Sequence, residues 1–263
     1  MSTLSLFDLA AAGGLVVVLG LVALWWRLGI VSDLLVASLR MVVQLSLIAV
    51  VLKVLFARRD AVWVGLMAFV MVGVAGREIV ARQKRGLSGW FAWSIGTGSL
   101  FLSSFAVGVF ALMALVQADP WYHPQYAIPL LGMLLGNTMN GIALSMDRLT
   151  NAVWVQRDAI EQQLMLGEDY RAATSAIVRD SLRGGLIPII NAMAVAGIVS
   201  LPGMMTGQIL SGVSPTVAVR YQILIWFLIA AGSGFGMVLA LALACRRLFD
   251  KRQRLRLDRL RRG

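Results

Sequence analysis

The sequence predicts an all-α integral membrane protein, on the basis of its composition, the length of its apolar runs and their patterning. Of the 263 residues, 59% are hydrophobic and 14% are charged, whereas about a quarter of the residues in a soluble domain are charged. Several apolar runs reach the roughly 20 residues that a helix needs to cross a bilayer. The alternating pattern of outer-membrane barrel strands does not occur, so helices are expected throughout.

About seven transmembrane helices are predicted, in a single permease-type domain over residues 1–263. The first is interpreted as a retained span, because the chain shows neither a basic n-region nor a clear cleavage site for a signal peptide. Between the fifth and sixth spans lies a long loop, 147–183, and after the last span comes a basic tail, 246–263. The predicted spans are Asp8–Arg27, Val31–Phe56, Ala61–Gly76, Trp90–Val116, Tyr126–Met146, Gly184–Pro202 and Gln222–Cys245.

The distribution of Lys and Arg predicts that the N-terminus is outside and the C-terminus is in the cytoplasm. Nine of the 24 Lys and Arg residues follow Cys245, and this orientation places the long loop on the same side as that tail. The tail is interpreted as a topology signal and a contact for anionic lipid headgroups. The position of this charge, directly after an apolar helix, argues against nucleic acid as a partner.

The segment 160–177, IEQQLMLGEDYRAATSAI, is charged and amphipathic in an otherwise apolar chain. Ile160 and Leu164 have helical spacing, and Gly167 can adopt a left-handed conformation that ends a helix. Glu168 and Asp169 then stand where a helix dipole favours acids. The segment therefore predicts two short helices that meet at an angle. Its acids and bases are balanced, which favours docking of a protein partner, although a helix lying on the membrane surface stays open.

Three positions in this segment match the coupling loop of ABC-transporter importers, E-A-A-x3-G-x9-I-x-L-P, in spacing. They are Glu161, Gly167 and Ile177, while Gln162 and Gln163 replace the two alanines and Arg179-Asp180 replaces Leu-Pro. Longer blocks, IPLLGMLLGNTMNGIALSMDRL (128–149) and the stretch 177–215 with its LPGMM, resemble the FetB family of ABC-transporter permeases. That family includes a proposed bacterial iron exporter and plant aluminium-tolerance relatives.

This resemblance implies a permease subunit in the bacterial inner membrane that pairs with a separate ATPase and works as a homodimer. The coupling residues would be Glu161, Gln162, Gln163, Gly167 and Ile177, and the family suggests export of iron. Plant relatives suggest a nucleotide sugar or another anion as the alternative substrate. The sequence has no G-x4-G-K-[ST] phosphate loop, so ATP and Mg are expected in the partner and no cofactor is expected in this chain.

Two other functional classes are weaker alternatives. A stand-alone channel or ion-coupled carrier would need acids in mid-membrane, but Asp8, Asp33 and Asp147 all stand at span ends. An intramembrane enzyme lacks a catalytic pair, because the only histidine, His123, is in a short outer loop. No metal-ligand constellation occurs in the sequence, so the metal ligands stay unknown and iron depends on the resemblance.

Polar residues inside the predicted spans are candidates for a transport pathway, because they are costly in lipid. Arg40 and Gln44 are one helical turn apart; Arg40 could meet an anionic substrate or pair with a buried carbonyl or carboxylate. In GMLLGNTMNG, the glycines at 132 and 136 suit close helix packing, and the nearby amides could bond across a contact or line a path. A proline can expose backbone carbonyls to a substrate. The pathway candidates are Arg40, Gln44, Asn137, Asn140, Pro188 and Asn191.

Overall fold

The computed structural model describes residues 5–58, 60–117 and 119–261, and this part of the chain is helical. It also includes a π-helical segment, Ala111–Val116, and one 3-10 turn, Leu257–Arg259. The α-helices are α1 (Leu6–Trp25), α2 (Val31–Arg58), α3 (Ala61–Ala81), α4 (Trp90–Phe110), α5 (Pro124–Val155), α6 (Arg157–Met165), α7 (Tyr170–Val195), α8 (Gly203–Leu210) and α9 (Pro215–Leu248).

Six helices of the described ranges are long and apolar enough to cross a membrane, namely α1 to α5 and α9, with the π-helical segment extending α4. The predicted all-α membrane class is confirmed. The predicted span Gly184–Pro202 is not among the six, because α7 begins at Tyr170, carries Arg179, Asp180 and Arg183, and ends at Val195. The predicted loop 147–183 is likewise helical over most of its length, as the end of α5, all of α6 and the start of α7.

The described chain divides into two compact units, one formed by α1 and α2 and the other by α3 to α9. In the first unit, α1 begins with a capping box, in which Ser5 Oγ accepts from the Asp8 N–H at 3.2 Å and the Asp8 carboxylate accepts from the Ser5 N–H at 2.9 Å. Residues Arg27 and Gly29 take positive φ angles in the turn between the two helices. The capping box explains where α1 starts, and the positive φ angles explain where the chain leaves the helix.

In the second unit, α5 lies at the centre and packs against α3, α4, α7 and α9. α5 and α9 run parallel, since Leu134 lies against Gly232 and Thr138 lies against Gly236 one turn further along both helices. α7 runs antiparallel to α9. Its first residue, Tyr170, stacks on Phe249 just beyond the end of α9, whereas Gly185 lies against Met237.

Helices α5, α7 and α9 meet closely at two glycines, Gly141 and Gly185. A Cβ built on Gly185 of α7 would lie 2.6 Å from the sulfur of Met237 and 3.2 Å from the carbonyl oxygen of Gly141. A Cβ built on Gly141 of α5 would lie 3.0 Å from the same sulfur. In lipid, burial of apolar side chains contributes little to helix association, because the lipid tails are apolar as well. Close approach of the helix backbones is therefore a main stabilising contact. The predicted packing glycine Gly136 instead has no heavy atom within 4 Å of its Cβ position.

Buried hydroxyls line the contact of α4, α5 and α9, about one turn before Gly141 along α5. Thr138 and Ser233 are fully buried and their oxygens lie 3.3 Å apart, while Ser103 donates to the carbonyl of Ser99 in its own helix at 2.8 Å. These three side chains are short, and each bonds to a neighbour or to its own helix, so they allow close packing at little polar cost.

The α3–α4 connection, the end of α5, the end of α9 and the tail lie together at one end of the second unit. Arg82 donates to the side chain of Asn140, the N–H of Lys84 donates to Asp147 at 2.8 Å, and the guanidinium of Arg85 stacks on Trp154 at 4.6 Å from the ring centroid. We call this the basic end, because Arg246 and Arg247 at the close of α9 lie there as well.

Replacing Gly185 by alanine should destabilise the bundle by about 1–3 kcal/mol, because the added methyl must displace Met237 or the α5 backbone. The matched control is Gly136→Ala, which places the same methyl in open space on α5. Thermal unfolding of the two purified variants in detergent would measure the difference. Equal melting temperatures for both variants would contradict the proposed close contact.

Candidate coupling site

The corner between α6 and α7 presents its charged face outward. α6 spans nine residues, and its Ile160 is 2% exposed while Leu164 packs against the same core. Glu161, Gln162 and Gln163 are exposed on the other side of the helix. The amphipathic spacing in the sequence therefore becomes an inner apolar face and an outer polar face.

Gly167 ends α6 in the way that its position in the sequence predicted. Its φ is +95°, and its N–H donates to the carbonyl of Leu164 at 3.1 Å. Asp169 then caps α7, since its carboxylate accepts from the N–H of Ala172 at 2.7 Å. The local chemistry of these two residues fixes the angle between the helices.

The tip of the corner is apolar and exposed. The side chains of Met165 and Leu166 are 80% and 85% exposed, although both are large and hydrophobic. Two exposed apolar side chains at a helix end are typical of a contact with another protein or with lipid. Ile177 differs from the other predicted coupling residues because it is 5% exposed and belongs to the core. It can position α7 but cannot itself reach a partner.

The basic tail is folded against the second unit. Leu260 pairs with Leu87 of the α3–α4 connection, and both side chains are buried. On either side of this pair, Ser88 N–H donates to the Arg259 carbonyl at 2.7 Å and Arg261 N–H donates to the Gly86 carbonyl at 2.9 Å. The tail is therefore a strap that holds the end of α9 to the end of α3.

The tail also contacts the start of α7. Gln253 Oε1 accepts from the N–H of Tyr170 at 3.0 Å, which satisfies one of the free donors at the start of that helix. Phe249 stacks on the Tyr170 ring with centroids 5.2 Å apart. The Asp250 carboxylate accepts from the N–H groups of Arg252 and Arg254 at 2.8 and 2.9 Å, and this closes the turn.

A groove of about 650 Å³ lies between the α6–α7 corner and this turn of the tail. We call it the charged groove. Its lining residues are Glu161, Leu164, Met165, Gly167, Glu168, Arg252, Gln253, Arg254 and Leu255.

The predicted pathway residues are divided between the two units of the chain. Arg40 and Gln44 are on α2, in the first unit, while the others are in the second. Asn137 donates to the carbonyl of Met133 in its own helix at 2.8 Å, and Asn140 accepts from Arg82 at the basic end.

Pro188 and Asn191 have exposed side chains on α7. Within the described residues, no group of three or more His, Cys, Asp or Glu side chains is placed to hold a metal ion.

Sequence reasoning missed the part that the tail contributes. Gln253 and Tyr170 are 83 residues apart, so no local pattern joins them. The signal that was present is the apolar spacing in RLRLDRL, where Leu255, Leu257 and Leu260 recur among basic residues. All three pack in or against the core of the second unit.

These features define a multi-pass helical membrane protein with an exposed helical corner at one end. The chain matches the model of the Uncharacterised protein family (UPF0014) over residues 6–249, and it belongs to that family. No solved structure matches it.

Three relatives show how broad this family is. The UPF0014 membrane protein slr1647 of Synechocystis sp. is 37% identical, over 88% of each chain. The probable iron export permease protein FetB of Escherichia coli is 30% identical, over 94% of this chain and 93% of the relative. The UPF0014 membrane protein STAR2 of Oryza sativa is 34% identical, over 81% and 73%. The resemblance to the FetB family is confirmed, and transport is the class of function that it supports.

Acid should loosen the tail turn around Asp250. The N–H of Arg254 and then that of Arg252 hold the pKa of this carboxyl below its ordinary value of 3.8. Because the folded pKa is the lower one, the stabilisation is complete above the unfolded pKa and is lost as the pH falls through the folded pKa. Hydrogen exchange of residues 250–254 should therefore accelerate, relative to the intrinsic rate, below about pH 4.

The variant Asp250→Asn serves as the control for this pH dependence. It should exchange faster than the parent at neutral pH and show no acid step of its own, since its amide does not titrate. An acid step of the same size in both proteins would assign the effect to another group.

Proposed function

We propose that the chain is the membrane-spanning permease subunit of an ABC transporter, driven by a separate ATPase subunit that binds ATP and Mg. In a bacterium this subunit would lie in the inner membrane and work as a homodimer with two ATPases. The observation that carries the proposal is the α6–α7 corner, whose outer face combines Glu161, Gln162 and Gln163 with the bare tip of Met165 and Leu166. Movement of the ATPase would reach the membrane through this corner.

The start of α7 supports this role, because the corner is joined rigidly to the transmembrane bundle. Asp169 caps α7, and the same unbroken helix carries Gly185 into the contact with α5 and α9. A push on the corner would thus act on a closely packed point of the bundle. A helix lying loosely on the membrane surface would have no such connection.

The helix directions support seven crossings with the corner and the C-terminus in the cytoplasm. α5 and α9 are parallel, so the chain between them must return across the bilayer, and α7 is antiparallel to α9. At the far end, α8 lines a pocket with the starts of α5 and α9, through Met204, Tyr126 and Val217. Together α7 and α8 would make the seventh crossing, and the basic end would then follow the positive-inside rule.

We propose iron export as the transport reaction, because the relative from Escherichia coli is named a probable iron export permease. The pathway residues Asn137, Asn140, Pro188 and Asn191, and Arg40 and Gln44 on α2, remain predictions. A nucleotide sugar or another anion is the alternative substrate for the same architecture. ATPase stimulation by ferrous iron, set against stimulation by nucleotide sugars, would separate the two.

A stand-alone ion-coupled carrier is the alternative mechanism. It would retain transport without any ATPase, whereas the proposed permease would be inactive alone. Transport of iron into or out of vesicles that contain only this chain would decide between them.

Replacing Gly167 by proline should reduce capture of a co-expressed ABC ATPase subunit by at least about tenfold. Proline cannot adopt the φ of +95° and removes the N–H that Leu164 accepts, so the corner must change its angle. The matched control is Gly212→Pro, since Gly212 has a φ of +92° and also donates its N–H within a turn, between α8 and α9. Co-purification from detergent on a tag on the permease measures capture.

Glu161→Lys tests the face of α6 in the same assay without altering the turn, and it should also reduce capture. If the parent captures no ATPase, or if the Gly212→Pro control loses as much as Gly167→Pro, the corner is not the coupling site and the carrier mechanism gains support.

A further inference from the structure

The two walls of the charged groove carry opposite charges and come from distant parts of the chain. Glu161 and Glu168 form one wall, on α6 and the corner, while Arg252 and Arg254 form the other, on the tail. In the described part of the chain, no ion pair joins either glutamate to either arginine. Because these opposite charges do not pair with each other, both remain able to interact with a molecule that enters the groove.

The arginine wall is held in place by bonds that do not use the guanidinium groups. Asp250 accepts from the backbone of both Arg252 and Arg254, and Gln253 between them accepts from Tyr170. Leu255 packs against the core immediately afterwards. The backbone of this wall is therefore preorganised, and its side chains are left to bind.

The charge pattern favours a protein over a membrane as the occupant. A lipid phosphate that approached Arg252 and Arg254 would also face Glu161 and Glu168 across the groove, which repel it. A protein segment can present both signs at once. Met165, which also lines the groove, is exposed and could supply the apolar contact that protein interfaces usually include.

We propose that the tail is the second half of the docking site for the ATPase subunit, with Arg252 and Arg254 as its contact residues. This inference rests on the proposed function and deepens it. The partner segment would turn carboxylates towards the tail wall and basic or amide groups towards Glu161 and Glu168. Through the strap, the docked partner would then hold the ends of α9 and α3 as well as the start of α7.

The test is the affinity of the purified permease for the separately purified ABC ATPase subunit that it captures, at low and high salt. The double variant Arg252→Glu/Arg254→Glu should bind about tenfold more weakly at low salt and lose most of the salt dependence of the parent. The matched control is Lys251→Glu/Arg261→Glu, which changes the net charge equally at two exposed residues that do not line the groove. This control should stay close to the parent affinity.

Folding of the tail is checked by limited chymotrypsin digestion, because the variants keep its sites at Phe249 and Leu255. If the glutamate variant loses its protection, Arg252→Gln/Arg254→Gln keeps the backbone bonds to Asp250 and should still lower the affinity by a smaller factor.

If the groove variant and its control weaken ATPase binding equally, the effect comes from net charge alone and the proposal is wrong. Loss of binding in Glu161→Lys but not in either groove variant would overturn it while the proposed function stands. A parent that does not bind the ATPase would overturn both. If the groove variants instead bind less well to vesicles that contain anionic lipid and keep full ATPase affinity, the tail contacts the membrane and the proposal is wrong.

Discussion

The close contact of α5, α7 and α9 is the constraint on which the rest of the second unit depends. At this point Gly141 and Gly185 have no room for a side chain, and Met237 fills the space that is left. Because lipid tails solvate apolar side chains well, helices in a bilayer associate mainly through such tight packing and through polar contacts. The contact sets the direction of α7, and the direction of α7 sets where the α6–α7 corner emerges.

Hydropathy predicted the strongly apolar helices well and misjudged α7. The spans around α1, α3, α4 and α9 were recognised because each is apolar over most of its length. α7 joins a polar half with Arg179 to an apolar half with Pro188, and a 26-residue helix of this kind resembles a loop followed by a span. Local composition describes each half correctly, but only packing against α5 and α9 makes them one helix.

The candidate site divides in the same way. Gly167 and Asp169 were predictable because a glycine at a helix end and an acid at a helix start act through their own backbone neighbourhood. The tail was not, because its many arginines conceal the leucines that anchor it, and because Gln253 reaches a helix far away in sequence. The close packing at Gly141, instead of at Gly136, likewise depends on which neighbour is opposite.

Pro188 divides α7 into a rigid first part and a shorter second part. A proline has no N–H, so the carbonyl of Gly184 lacks its usual helical partner, and the helix is weakest beside the point where it touches α5 and α9. From Tyr170 to Gly185 the helix is uninterrupted, a rigid arm of roughly 22 Å at 1.5 Å per residue. In the proposed transporter, a displacement applied at the corner would be transmitted along this arm to the three-helix contact. The segment beyond Pro188 could then move by a different amount from the arm itself.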